Sequence, residues 1–221
     1  VANYINKDIL CQAYIHIDPV PLDGSELDQF QIILDEFLSS RGKFFIYDEV
    51  DSEVALKDGS LKVYATILGS LYIGISQYGS FRSGVDYLAS DVKRLSESIV
   101  AESLFQSQSR HDNIIRAEAR IGVAGRLKQI VDEIDQINSR IGHDSPRALS
   151  RKLERLTESL EKLIGKLNDP QDIPYIKENI ALIGEEKIQE KPVTPPRSRE
   201  DPEGNKLYAL SRKQFFELIK A

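Results

Sequence analysis

Two apolar seams joined by five residues constrain this chain more than any other feature. Leu127, Ile130, Ile134, Ile137 and Ile141 recur at spacings of 3, 4, 3 and 4. Leu149, Leu153, Leu156, Leu160, Leu163 and Leu167 recur at 4, 3, 4, 3 and 4. Alternating threes and fours put side chains on one stripe of an α-helix. Between the seams lies Gly142-His143-Asp144-Ser145-Pro146. Gly142 suits the left-handed position after a helix, Ser145 an N-cap and Pro146 a first helical turn. So short a connection makes the two helices antiparallel neighbours. Residues 126–168 therefore read as an antiparallel coiled-coil hairpin. A lone hairpin of this length is marginal, so packing on another helix or another subunit is expected.

The N-terminal part has a different period. Cys11, Ala13, Ile15 and Ile17 alternate with Gln12, Tyr14, His16 and Asp18, the period of a half-buried strand. Asp18-Pro19 and Pro21 end it. Ser25 with Asp28 resembles a capping box opening a helix through Leu27, Phe30, Ile33, Leu34, Phe37 and Leu38, with Gly42 as its stop. Residues 43–47 are β-prone. Val54 and Leu56, then Asp58-Gly59, then Leu61, Val63, Ala65 and Ile67 predict a hairpin with a two-residue turn. The pattern is an incomplete ferredoxin-like sandwich over residues 1–68.

From Val63 to Phe81, 19 residues pass without Asp, Glu, Lys, Arg or His. Such a run raises the question of membrane insertion, against which stand its strand-like start, its hydroxyl residues and Gly69, Gly74 and Gly79. A clearer pattern is the seam Leu71, Gly74, Tyr78, Phe81, Val85, Leu88, Val92, Leu95 and Ile99. It predicts one helix from Gly69 to Phe105, about 55 Å long. Small residues four apart along it allow another backbone to approach. Leu71, Gly74, Tyr78, Phe81, Val85 and Leu88, with Leu153, Leu156 and Leu160 of the hairpin, are the expected self-association surface.

Ile114, Ala117 and Ile121 suggest a further helical piece, broken at Gly122-Val123-Ala124-Gly125. A short helix is expected within 173–183. Residues 184–205 are charged and Pro-rich and read as a linker. Residues 206–221 form an amphipathic docking helix, with Leu210, Phe215, Phe216 and Ile219 as the residues expected to meet a partner or the chain's own core. The expected class is thus α+β and helix-dominated: a small β-α-β-β unit, one long helix, the hairpin within a helical region 69–183, the linker and a short C-terminal helix.

Charge is unevenly spread. Residues 1–109 carry 8 Lys/Arg against 16 Asp/Glu, and residues 110–168 carry 12 against 9. The basic middle makes Arg116, Arg120, Arg126, Arg151 and Arg155 candidates for anion or nucleic-acid binding. Glu118, Asp132, Glu133, Asp135, Glu154 and Glu158 are interleaved with them, and no aromatic stacking residue accompanies them, so nucleic acid is not the expected partner. Sequence motifs for phosphate loops, serine hydrolases and zinc proteases are missing. A single cysteine, Cys11, excludes an internal disulfide and a cysteine-only zinc cage and suits a reducing, cytoplasmic setting. Catalytic residues, metal ligands and cofactors are not expected. Were there an unrecognised enzyme site, the strand ends near His16, Asp18, Asp48 and Glu49 are the place for it.

Asp58-Gly59-Ser60-Leu61-Lys62-Val63, running into Leu68-Gly69-Ser70-Leu71 and Tyr78-Gly79-Ser80-Phe81-Arg82-Ser83-Gly84, resembles small β-α-β-plus-helix proteins of bacterial conflict and antiphage systems, the effector-associated adaptor type. The resemblance covers at most residues 11–100. It implies a non-enzymatic adaptor or assembly module and transfers no site residues. The leading expectation is therefore a self-associating adaptor, a homo-oligomer that also binds a protein partner in antiviral defence. The alternatives are a membrane-inserting or pore-forming effector using residues 63–81, and an anion or nucleic-acid binder using residues 110–155.

Overall fold

The computed structural model describes residues 7–19, 22–57, 60–193 and 201–220. It is α+β and divides into two compact units, residues 1–125 and 126–221. The boundary thus falls after Gly125, not after residue 68, because one more strand joins the N-terminal unit.

In the first unit β1 (Asp8–Ile17) leads through α1 (Gly24–Phe45) to the antiparallel pair β2 (Asp51–Lys57) and β3 (Leu61–Gly69). Then come α2 (Leu71–Ser76), α3 (Phe81–Gln106) and β4 (Ile114–Ile121). The sheet order is β2-β3-β1-β4 with all pairs antiparallel, the split β-α-β arrangement of a complete ferredoxin-like sandwich. Period-two alternation gives the sheet its two faces. Cys11, Ala13, Ile15, Ile17, Leu61, Val63, Ala65 and Ile67 point one way and are at most 4% exposed. Helices α1 and α3 pack on this side and on each other. Gly42 shows how tightly, since a Cβ there would lie 3.0 Å from Val50 and 3.5 Å from Ile67.

Several local expectations are corrected. The capping box of α1 sits two residues earlier: Asp23 accepts from the N–H groups of Ser25 and Glu26, and Glu26 accepts from the N–H of Asp23. Gly42 does not stop α1, which runs on to Phe45, so residues 43–47 form no strand. The long helix over 69–105 is two helices. Gly79 has φ +86°, outside helical space, and Ser80 restarts the chain as the N-cap of α3. The seam crosses this break because residues on both sides face one core. Residues 63–81 therefore form a central strand and a short helix. Among the described residues no helix is long and apolar enough to cross a membrane. The piece at 114–121 is a strand, and Asp58-Gly59 lies outside the described residues.

In the second unit α4 (Val123–Arg140), whose first residues belong to the N-terminal unit, and α5 (Pro146–Ile164) form the hairpin arms. Ser145 caps α5 through Ala148, with Pro146 in the first turn and Gly142 at φ +80°. α6 spans Asp172–Lys187 and α7 spans Pro202–Lys220. The linker is accordingly shorter than 184–205, and residues 194–200 of it lie outside the described residues.

α5 packs along α7. Two small residues let the helices meet: Ser150 Oγ and Ser211 Oγ are 2.8 Å apart, and both hydroxyls reach Glu154. Tyr208 donates to the carbonyl of Gln189 at 2.7 Å. Arg147 holds Asp201 at 2.8 Å and Glu203 at 2.6 Å, tying α5 to the start of α7. Lys152 holds Asp144 at 2.9 Å. Hydrogen bonds from Arg147 and Lys152 hold the Asp201 and Asp144 carboxyls below their ordinary range. A depressed folded pKa gives stability that is present above the unfolded value and is lost as pH falls through the folded one. The melting temperature is expected to be flat near neutrality and to drop below about pH 4. A pH series of thermal melts checks this, and Asp201→Asn should flatten the acid limb.

Candidate functional site

Among the described residues of the first unit, no helix packs on the second face of the sheet. Gln12, Tyr14 and His16 of β1 lie beside Lys62, Tyr64 and Thr66 of β3 on one side, and beside Arg116, Glu118 and Arg120 of β4 on the other. Tyr14 and Tyr64 are register partners, and their ring centroids are 4.8 Å apart at 46°. The guanidinium carbons of Arg116 and Arg120 lie 5.7 and 5.3 Å from the Tyr14 centroid, within cation–π range. Tyr14 is 8% exposed beneath them. Tyr64 is half-buried, while Arg116 and Arg120 have 59% and 44% of their side chains open to solvent.

Glu118 sits between the two arginines and pairs with both; its Oε2 accepts from Arg120 Nε at 2.6 Å. The Arg120 hydrogen bond, followed by that of Arg116, holds the Glu118 carboxyl below its ordinary range, so it is ionised near neutral pH. Arg120 also donates to Gln12 Oε1 at 3.1 Å, and Gln12 Nε2 donates to Thr66 Oγ1 at 3.1 Å. Burial, then the Tyr64 neighbour, raises the pKa of Tyr14, so its ring stays neutral at physiological pH. His16 Nε2 lies 2.8 Å from Ser60 Oγ at one margin. Two neighbouring aromatic rings tilted by 46°, two forked cations and a ladder of amide and hydroxyl groups make an aromatic, polar-edged surface. Chemically it can stack a flat ring and hold phosphate oxygens.

The expected basic cluster is brought together only in part. Arg116 and Arg120 share β4 in the first unit, whereas Arg126 lies on α4, and Arg151 and Arg155 on α5, of the second. The aromatic companions of Arg116 and Arg120, contrary to expectation, are Tyr14 and Tyr64. They come from strands distant in sequence, and the signal that could have found them is the outward parity of both positions. The self-association residues are corrected too. Leu71, Val85, Leu88, Leu153, Leu156 and Leu160 are at most 1% exposed inside their own units. A Cβ on Gly74 would lie 2.8 Å from Tyr47 and 3.0 Å from Leu88, so its small size serves a contact within the fold. Tyr78 donates to Asp91 at 2.8 Å, and Phe81 is half-buried at the start of α3. Of the docking residues, Phe215, Phe216 and Ile219 fill the second unit's core and Leu210 is 53% exposed.

The four residues named for an unrecognised enzyme site are not brought together. The register places His16 and Asp18 at the end of β1 where β3 begins, and Asp48 and Glu49 before β2, whose start pairs with the end of β3. The four are therefore at opposite ends of the sheet. Among the described residues no group of three or more His, Cys, Asp or Glu is placed to hold a metal. Cys11 is buried under the helices, and burial pushes its thiol up to about 12. It is expected to resist a thiol reagent at pH 8 until the protein is unfolded in denaturant, which a timed labelling experiment reads directly.

No protein-family model, curated protein or solved structure matches this chain.

Proposed function

We propose that the first unit binds single-stranded nucleic acid on its helix-free sheet face, with no chemical step. The observation that carries this reading is the Tyr14–Tyr64 pair at 4.8 Å flanked by Arg116 and Arg120. Bases are large flat rings and their backbone is anionic, so aromatic rings beside forked cations fit both parts of the ligand at once. A duplex hides its base faces and fits a flat, tyrosine-bearing strand surface poorly.

In this account Tyr14 is the floor and the more open Tyr64 is the stacking surface. Arg116 and Arg120, on β4 beyond Tyr14, take the backbone phosphates, and Lys62 extends the charge along β3. Glu118 occupies the space between the guanidiniums in the free protein, so a phosphate must displace it. Glu118→Gln removes that competitor and is expected to raise affinity several-fold.

Fluorescence anisotropy of a labelled oligothymidylate with the full chain tests the reading. Binding at low salt is expected to weaken with a log–log slope of roughly −2, for three cations on a single strand. A duplex of the same length should bind more weakly. Absence of binding at low salt, or binding altered by neither Glu118→Gln nor Arg116→Ala when each is made alone, would overturn it.

A further inference from the structure

β4 is the last strand of the sheet, and among the described residues no strand pairs with its outer edge. The other edge strand, β2, is guarded. It carries Asp51 and Glu53 at its start, and Lys7 pairs with Asp51 at 2.8 Å. β4 has neither proline nor lysine, the residues that usually blunt an edge. It also exposes apolar side chains: Ile115 is 60% and Ile121 36% exposed, and Ala117 and Ala119 are exposed between them.

The direction of its main-chain groups can be read from the ladder. Gly122 N–H donates to the Leu10 carbonyl at 2.8 Å, and Asp18 N–H donates to the Asn113 carbonyl at 2.9 Å. Alternation along an antiparallel pair then assigns the bonds to Gln12–Arg120, Tyr14–Glu118 and His16–Arg116. The N–H and C=O groups of Ala117, Ala119 and Ile121 point outward.

We infer that this edge pairs with the same edge of a second copy, antiparallel and about a two-fold axis on Ala119. The charge pattern selects that register. Centred on Ala119, Glu118 stands opposite Arg120 of the second copy, and Arg120 opposite its Glu118. Centred on Glu118, the two acids would face each other and Arg116 would face Arg120, which is unfavourable. Centred on Ala117, the ladder would need Ile115, the extra residue where the register passes from His16↔Arg116 to Ile17↔Ile114. A bulged residue cannot hold a regular ladder. The Ala119 register uses the outward groups of 117, 119 and 121 and sets Ile121 beside Ala117 of the second copy. An antiparallel two-fold of this kind lies normal to the sheet, so the helix-free faces of both copies would look the same way.

Sedimentation velocity of the full chain, from micromolar to near-millimolar concentration, tests this. The expected species at high concentration has twice the 25.0 kDa mass of the chain. Ala119→Pro removes an outward N–H at a position where an edge strand tolerates proline, and is expected to give the single mass with unchanged circular dichroism. As a second variant, Arg120→Glu sets acids opposite one another and should weaken association at least tenfold. Adding Glu118→Arg to it reverses the pair and should restore the dimer. A single mass for the unaltered chain at every concentration overturns the inference. So does wild-type association by Ala119→Pro, or a reversed pair that folds and stays monomeric. Oligothymidylate binding by a monomer would survive this failure, so the two readings fall separately.

Discussion

Tyr64→Ala is expected to weaken oligothymidylate binding by about 10- to 100-fold, because each stacked base contributes about 1–3 kcal/mol. Its salt dependence should stay as it was, since no phosphate contact is removed. Arg120→Ala should do the reverse in kind, with a smaller loss and a shallower salt slope. Tyr64→Phe keeps the ring and should bind nearly as well. The substitution is mild for the fold, because Tyr64 is half-buried on the side of β3 away from the helices. Anisotropy titrations at several salt concentrations separate these effects. An equal loss for Tyr64→Phe and Tyr64→Ala would show that the hydroxyl, not the ring, is what matters.

The second large effect concerns stability. Phe215→Ala is expected to destabilise the second unit by about 3–5 kcal/mol. Phe215 is 0% exposed and stands edge-on to Phe216 at 5.3 Å. A Cβ on Gly184 would lie 3.1 Å from its ring, so α6 has closed on it and little room is left for collapse. A lower urea midpoint with an unchanged slope would be the signature. A cost under about 1 kcal/mol would mean that α7 does not belong to the core. The amphipathic helix after a proline-rich stretch is thus a structural part of its own unit, fastened by Arg147–Asp201, Ser150–Ser211 and Tyr208–Gln189.

Periodicity made the elements with one clear phase legible. β1, β3 and the hairpin arms follow from alternation and 3-4 spacing, and Ser145-Pro146 marks the start of α5 where the structure has it. β4 was hidden because Ile114, Ala117 and Ile121 fit a helical spacing by chance. Arg116, Glu118 and Arg120, two apart, were the better guide: three charged residues in alternation with Ala117 and Ala119 are a strand with a polar face. The break at Gly79-Ser80 was hidden for a related reason, since α2 and α3 present residues in one phase to the same core. Capping chemistry at Ser80 was the available signal. The helix-free face was least legible of all. Tyr14, Tyr64 and Arg120 meet only through the strand order, and no local pattern states that order. Gly122 is similar: it reads as a helix breaker, but a Cβ there would lie 1.9 Å from the Ile9 carbonyl oxygen, so close backbone approach demands the glycine.

The central claim is where the ligand lies, and ultraviolet cross-linking reads that most directly. The full chain would be irradiated with a bromouridine-substituted oligonucleotide, digested with trypsin and mapped by mass spectrometry. The adduct is expected on Tyr64, within the peptide from Val63 to Arg82 that follows Lys62. An adduct confined to α4 or α5, beside Arg126, Arg151 or Arg155, would contradict it.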